Sequence, residues 1–579
     1  MTRNTKAVVY SGILILLLAG LAALLMACAS NEPTATPIAP AQPAPAVAPT
    51  AAPQPAATTA PVQAAPTSTV AVPTPSRILP TATPVDSERP QYGGTLRTSP
   101  VISGGDTFDP AFMIQTGFRS PAFAIYSALV QSMPDTSPGP DLAQSWEVSS
   151  DGKAVTFHLQ PGVKFSDGTP VDAKAVKWNY DRHLDPKVGS SRRSELSPPL
   201  ERVEAPDDLT VRFILTAPFR PLLAVLMERG GFIVSPTAVD KNNSYSDRAG
   251  EFARRPVGSG PFKLQSWNPL VEITLSRNEN YWEKGKPYLD AIKYPLLGDK
   301  QVEFALLRTG ELDVMQDMRS GDVAIARANP QIKVVERAGT SFRFIWFRQT
   351  VKPWDNQALR AAMAYAMDRD TFAKALYGGL ASTAYQPIGP AYGQWFDSTI
   401  KTYAFDKQKA KQKLTEAGYS TGFTFQAMCG DAATEVQWCE AAQSMWADVG
   451  IKVEWQSYPI QTHFADFVSR KFDSPILTWI SPRNDPHLNI QRLYHTKGSS
   501  NATGYGNPQL DSLIEQGATI YDIAKAKEVY NKALSQVAED AGMIFLVYET
   551  NIYGIRSNVR NFATRLDNVL RVRELWLSK

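Results

Sequence analysis

The side chains able to do chemistry in this chain are numerous but scattered. Five histidines are present, His158, His183, His463, His487 and His495, and no two stand at the close spacing of a zinc-binding pair. There is no G-x-x-x-x-G-K-[ST], so no P-loop for ATP, and neither H-E-x-x-H nor G-x-S-x-G occurs. Gly258-Ser259-Gly260 is flanked by Pro256 and Pro261, which suit a tight loop and not the start of a phosphate-binding helix. Asp151-Gly152 and Asp167-Gly168 read as turns and not as catalytic acids. No nucleophile with an adjacent base is visible, so enzymatic chemistry is the minority expectation. The chain carries 59 basic and 56 acidic residues, a formal charge of +3, with no long basic block. That balance argues against a nucleic-acid partner.

The elements that would position a site begin after an unusual N-terminus. Arg3 and Lys6 precede an apolar run from Val8 to Ala27, the pattern of an export signal. The run ends in Leu25-Met26-Ala27-Cys28, which resembles the lipobox of bacterial lipoproteins and implies a lipid on Cys28. Residues 1–28 are then a lipoprotein signal, and the mature protein is held to the outer face of the cell membrane. The alternative is an uncleaved signal-anchor helix, since the run is almost long enough to span a bilayer. Residues 29–90 are mostly Pro, Ala and Thr. They cannot bury enough surface to offset their ordering entropy, so a disordered spacer of up to roughly 190 Å in extended polyproline form is expected. Residues 91–579 form the body, long enough for two or three domains and without a second apolar run of spanning length.

Within the body, Val155–Leu159 and Leu209–Leu215 alternate like strands after turn signals. Helical patterns run over Ala173–His183, Gln301–Arg308, Gln357–Asp368, Lys407–Ala417 and Ile523–Glu539. Asp406 is placed to cap a helix start, and Gly310, Gly418 and Gly450 to stop helices. The later half repeats helix then strand: Lys407–Ala417 and Phe423–Met428, Thr434–Val449 and Ile451–Trp455, with Ile476–Trp479 a further short strand. This alternation predicts α/β layers. With lipid on Cys28, Cys429 and Cys439 remain. A strand end and the first turns of the next helix approach closely enough for a disulfide, which an exported protein permits.

A series of motifs then identifies a family by resemblance. Tyr92-Gly93-Gly94-Thr95-Leu96-Arg97, Asp106-Thr107-Phe108-Asp109-Pro110, Asp141 to Val148 and the long run Thr156 to Ala173 resemble, in order, those of the peptide/nickel class (family 5) of ABC-transporter solute-binding proteins. Pro256 to Phe262, Arg277-Asn278 with Tyr281-Trp282, Arg360-Ala361-Ala362 to Asp368-Arg369, Ala410 to Tyr419, and Asn507-Pro508 with Asp511 continue it. The resemblance covers residues 91–579. It implies a two-lobe, periplasmic-binding-protein-like α/β fold of class II type. The first lobe is expected over 91–340 with an inserted subdomain, the second over 341–545, and a return to the first over 546–579. It also implies a monomer that captures a small solute, most simply a peptide, and delivers it to a permease with separate ATPase subunits, with no cofactor of its own.

The resemblance also points to site residues. In peptide-binding members an Asp shortly after the Trp corresponding to Trp479 pairs with the peptide ammonium. An ungapped reading puts Pro482 there, leaving Asp485 as the candidate substitute. Asp485-Pro486-His487 is similar to the loop of nickel-binding members, where the His contacts a chelated metal carried as cargo, so His487 is the metal-contact candidate in that alternative. Arg192 and Arg193 lie in a region that supplies an Arg to the chelator's carboxylates. Trp395, in Pro390 to Trp395, and Trp479 are candidates to line the cleft, with core packing the competing role. A loop or cleft-wall histidine and solvated arginines are the plain alternatives, a sugar is a further possible cargo, and a lipid-anchored hydrolase is the contrasting class.

Overall fold

The computed structural model describes residues 89–100, 107–113, 118–134, 137–196, 199–459, 469, 473–480 and 483–579. Cys28, the spacer before residue 89, and Pro482 lie outside these. Among the described residues, no helix is long and apolar enough to cross a membrane.

The first lobe is built on two four-stranded sheets. In one, Thr95–Arg97 pairs in parallel with Ala291–Pro295, followed antiparallel by Glu272–Arg277 and Phe262–Asn268. Its core gathers Leu96, Phe108, Phe118, Ile273 and Ile292 and is completed by Leu570, Val572 and Leu575 from the end of the chain. The other sheet is wholly antiparallel, in the order Ala143–Val148, Ala154–Leu159, Thr210–Leu215, Leu200–Glu204. Val155, Phe157 and Leu159 alternate into its core, as the period of a strand requires, beside Val176 and Tyr180 of the helix Ala173–Leu184. Asp172 caps that helix by accepting from the Ala175 N–H.

The second lobe is a mixed seven-stranded sheet. Its order is Val314–Met315, Met543–Arg556, Ile332–Trp346, Ile476–Ile480, Phe423–Gly430, Ile451–Tyr458, with Ser382–Thr383 pairing aside on Met543–Arg556. Phe342, Phe344 and Trp346 pack into one core and Ile345 and Phe347 into another, so successive residues of one strand feed opposite faces. The helices Ala433–Ala447 and Ile523–Glu539 cover those two faces with Trp438, Ala442 and Trp446 on one side and Tyr530, Leu534 and Val537 on the other.

Two long strands join the lobes. Ile332–Trp346 and Met543–Arg556 pair antiparallel, but the register shifts between Ala338 and Phe342. On one side of the shift Phe545 and Val547 belong to second-lobe cores; on the other Tyr553 and Ile555 belong to the first-lobe core. Gly339 sits in the shift, where a Cβ would stand 2.7 Å from the Glu549 carbonyl oxygen and the Asn551 Oδ1.

Most expected elements are present within a residue or two, including Asp406 as the cap of Lys407–Glu416 and left-handed Gly310, Gly418 and Gly450. One expectation is corrected. The helix starting at Gln357 ends at Tyr365, not Asp368, because the Asp368 carboxylate accepts from the Thr371 N–H and so caps the next helix, Arg369–Tyr377. Cys429 and Cys439 form a disulfide that ties the end of Phe423–Gly430 to the covering helix.

Candidate functional site at the seam of the lobes

Phe423–Gly430 and Ile476–Ile480 run parallel, so their carboxyl ends reach the same edge of the sheet. In open α/β sheets this edge is where ligands are held. The chain leaving Ile480 resumes as Arg483-Asn484-Asp485, and all three side chains meet the first lobe.

Asp485 has two tasks. It caps the helix Pro486–Tyr494 by accepting from the His487 N–H at 2.8 Å, with Pro486 at the first helical position where a missing N–H costs nothing. It also accepts both terminal nitrogens of Arg220, at 2.6 and 3.1 Å, across the seam. Arg220 lies in the first lobe between Thr210–Leu215 and the helix Leu222–Leu226. Its guanidinium carbon stands 4.6 Å from the ring centre of Trp395, and its backbone N–H donates to the Ala518 carbonyl at 2.9 Å. The paired side chains are only 10% and 8% exposed. The His487 ring packs against Phe219 at 5.7 Å and Tyr530 at 6.1 Å. Burial pushes its pKa down to about 4; the Arg220 charge acts in the same sense and the Asp485 charge against it. The imidazole is therefore neutral at neutral pH, and its Nδ1 makes no hydrogen bond.

The second contact is an arginine cluster. Arg483 reaches Glu195 of the first lobe at 2.6 Å, and the same Glu195 oxygen accepts from Arg192 at 2.8 Å. Burial alone would raise the Glu195 pKa, but the charges of Arg192, Arg483, Arg229 and Arg492 overcome it and hold the carboxyl at about 2. The crowding shows in the arginines too. Burial first, then Arg192, Arg483 and Arg119, bring Arg229 well below its ordinary range; burial and Arg483 bring Arg492 down to about 10. Beside the cluster, Asn484 donates to Glu228 at 3.4 Å, and Glu228 pairs with Arg119 at 2.7 Å.

The structure thus brings Trp395, Asp485 and His487 together around Arg220, and Arg192 to the neighbouring cluster. Trp479 lies elsewhere on the second-lobe wall. It stands opposite Arg343 in the strand register, and the Arg343 guanidinium lies between it and Trp438, 5.5 and 3.6 Å from the ring centres, while donating to Glu549. Arg193 is exposed at the start of the four-residue helix Arg193–Leu196 and enters none of the contacts described above. Among the described residues, no group of three or more His, Cys, Asp or Glu is arranged to hold a metal ion. Arg220, Glu195, Arg229 and Arg492 were not expected. Arg220 stands alone in sequence between Phe219 and Pro221, and only its partner across the seam gives it a role.

The fold has counterparts among known proteins. Residues 137–501 match the family described as bacterial extracellular solute-binding proteins, family 5 Middle. This chain belongs to that family. The glutathione-binding protein GsiB of Pectobacterium atrosepticum is 27% identical over 494 residues, covering 83% of this chain and 94% of the relative. The periplasmic binding protein DppA of Helicobacter pylori, solved with the peptide STSA, superposes with a TM-score of 0.76 at 26% identity, covering 84% of this chain and 99% of that one. AgaA of A. tumefaciens R10, solved with agropinic acid, gives 0.74 at 27% identity, covering 84% and 99%. The two-lobe α/β fold of family 5 is the architecture of this chain, and its role is that of an extracytoplasmic solute-binding protein of an ABC importer.

Proposed function

We propose that this protein captures a peptide or a similar small solute between its lobes and hands it, chemically unchanged, to the membrane permease of an importer whose ATPases are separate subunits. The observation that carries this reading is the seam itself. Arg220–Asp485 is a nearly buried interlobe ion pair and Arg483–Glu195 a partly buried one, so the closed arrangement is built from contacts that need both lobes. A solute that touches both lobes stabilises the closed state only through its differential affinity for it. The relatives named above, a glutathione-binding protein, a peptide complex and an agropinic acid complex, support a small polar cargo. Lipid on Cys28 and the 29–90 spacer complete the proposal: a monomer moored to the outer face of the membrane and free to reach its permease.

Native mass spectrometry of the purified full chain, followed by melting with the solute identified and with a peptide panel that includes Ser-Thr-Ser-Ala and glutathione, tests it. A solute at 100 times its dissociation constant adds about 2.7 kcal/mol. No bound mass and no shift with any solute would sink the reading. A metal chelate is the second reading, and it rests on the unbonded His487 Nδ1. Its expected signature is a melting shift with Ni(II) plus free histidine that disappears in His487→Ala.

A further inference from the structure

Away from the seam, the first lobe holds a largely enclosed cavity of about 60 Å³ under the chain's last pass. A single water needs about 10–15 Å³, so the space takes several waters or one anion of about three or four heavy atoms. The helix Arg119–Ile125 and the residues after it supply one wall, and Arg565, Arg571 and Arg573 of the last pass supply another. None of the lining residues enters the interlobe contacts described above. The three arginines differ in their partners. Arg573 donates to Glu283 at 2.7 Å and to the Gln131 Oε1 at 2.6 Å. Arg571 donates to Asp567 at 2.6 Å, with its guanidinium carbon 3.5 Å from the Phe123 ring centre. The carboxylates that line the cavity are also taken: Asp141 accepts from the Ala128 N–H at 2.9 Å, and Glu574 pairs with Lys286 at 2.9 Å. Arg565 is the exception. Its Nη1 donates to the Ser132 carbonyl, but among the described residues no carboxylate pairs with it, its Nη2 makes no hydrogen bond, and its Nε is buried without an acceptor. A buried donor left so bears the full cost of its lost hydration. Burial first, then the Arg571 charge, bring the Arg565 pKa down to about 10, which leaves it cationic at neutral pH. Nε and Nη2 share one edge of the guanidinium, and that edge donates side by side to two oxygens of a planar anion.

We propose that this cavity binds one small planar oxyanion of the carboxylate type, such as formate, acetate or bicarbonate, held side-on by the Nε–Nη2 edge of Arg565. The anion is a structural ligand and not the cargo. The last pass also gives Leu570, Val572 and Leu575 to the first-lobe core, so an anion on Arg565 helps to pin the end of the chain onto that lobe.

Melting of the purified full chain, without cargo and in sodium methanesulfonate at fixed ionic strength, tests this as formate, acetate or bicarbonate is exchanged for the methanesulfonate. At least one of the three is expected to raise the melting temperature saturably, by about 2 °C or more, and chloride at the same concentration by less than half as much. Arg565→Gln and Arg565→Lys are both expected to abolish the rise, the second because it keeps the charge and loses the fork. Their melting in methanesulfonate alone shows whether they fold. If they do not, a crystal structure of the wild type grown in the most effective anion decides: a planar anion beside Arg565 is expected, and a cavity filled by water alone overturns the proposal. It is equally overturned by no rise with any of the three, by an equal rise with chloride, or by a rise that survives in either folded Arg565 variant. The receptor reading is tested with cargo and stands or falls apart from these results.

Discussion

His487 shows how a single side chain reports on the seam. Its folded pKa of about 4 lies below the ordinary histidine value, so the unfolded chain takes up the proton first. The sign follows: the stability tied to its neutral form is complete above about pH 6.5 and is lost as pH falls toward 4. Across that interval the loss is about 3 kcal/mol, partly reduced if the seam lets water in. His183, buried and brought down to about 3 by burial and then by Arg182 and Arg192, loses stability over the same window. The two are separated by mutation. Urea unfolding at pH 7.5 and pH 4.7 should show a smaller acid loss in His487→Gln than in the wild type, by about 2 kcal/mol. Equal losses in the two proteins would mean that His487 is solvated. Glu195, held near 2, stays ionised throughout and does not confuse the comparison.

At the scale of elements, the disulfide offers a clean measurement. Cys429 lies one residue before the end of the strand Phe423–Gly430, and Cys439 lies in the helix Ala433–Ala447 that follows, ten residues on in sequence. Closing so short a loop removes denatured-state entropy worth about 2–3 kcal/mol in the chain-entropy account. The Cys429→Ser/Cys439→Ser double variant is expected to lose about that much in urea unfolding, and reductant should lower the wild type to the same level and leave the variant unchanged. The same region shows what the residues make legible and what they do not. Periodicity and caps place the helices and strands, because Asp406, Gly418 and Gly450 act on backbone groups a few residues away. The early stop at Tyr365 is missed because Ala366 and Met367 continue the apolar pattern of one helix while Asp368 caps another. Trp395, Asp485 and His487 are named by motif, yet their common partner is not. Arg220 is 265 residues from Asp485, and nothing local in Phe219-Arg220-Pro221 marks it. Glu195 and Arg492 escape for the same reason: their meaning lies in charge brought together by tertiary packing.

For the whole molecule, the two long strands and the buried seam set competing tendencies. The strands Ile332–Trp346 and Met543–Arg556 link the lobes whether they are open or shut, and their register shift at Gly339 is the place where the pairing is already irregular. The seam is what favours shutting. Removing one partner of a buried ion pair leaves the other charge uncompensated, a change of about 3–5 kcal/mol, and even the lower figure alters a two-state population by more than a hundredfold. Opening lets the orphaned carboxylate of Asp485 regain water, while Glu195 loses its interlobe partner and keeps Arg192 within its own lobe, so the double variant Arg220→Ala/Arg483→Ala is expected to populate the open state without unfolding. Small-angle scattering of the cargo-free protein should then give a larger radius of gyration than for the wild type, with each single variant between the two and with far-ultraviolet circular dichroism unchanged. Because the pairs are mostly buried, raising the salt from 0.05 to about 0.5 M should not mimic the double variant. An unchanged radius in the double variant would show that the remaining contacts, among them the Arg220 backbone N–H to the Ala518 carbonyl and the packing of Ala518, Leu488 and Tyr521 against the first-lobe core, hold the lobes together.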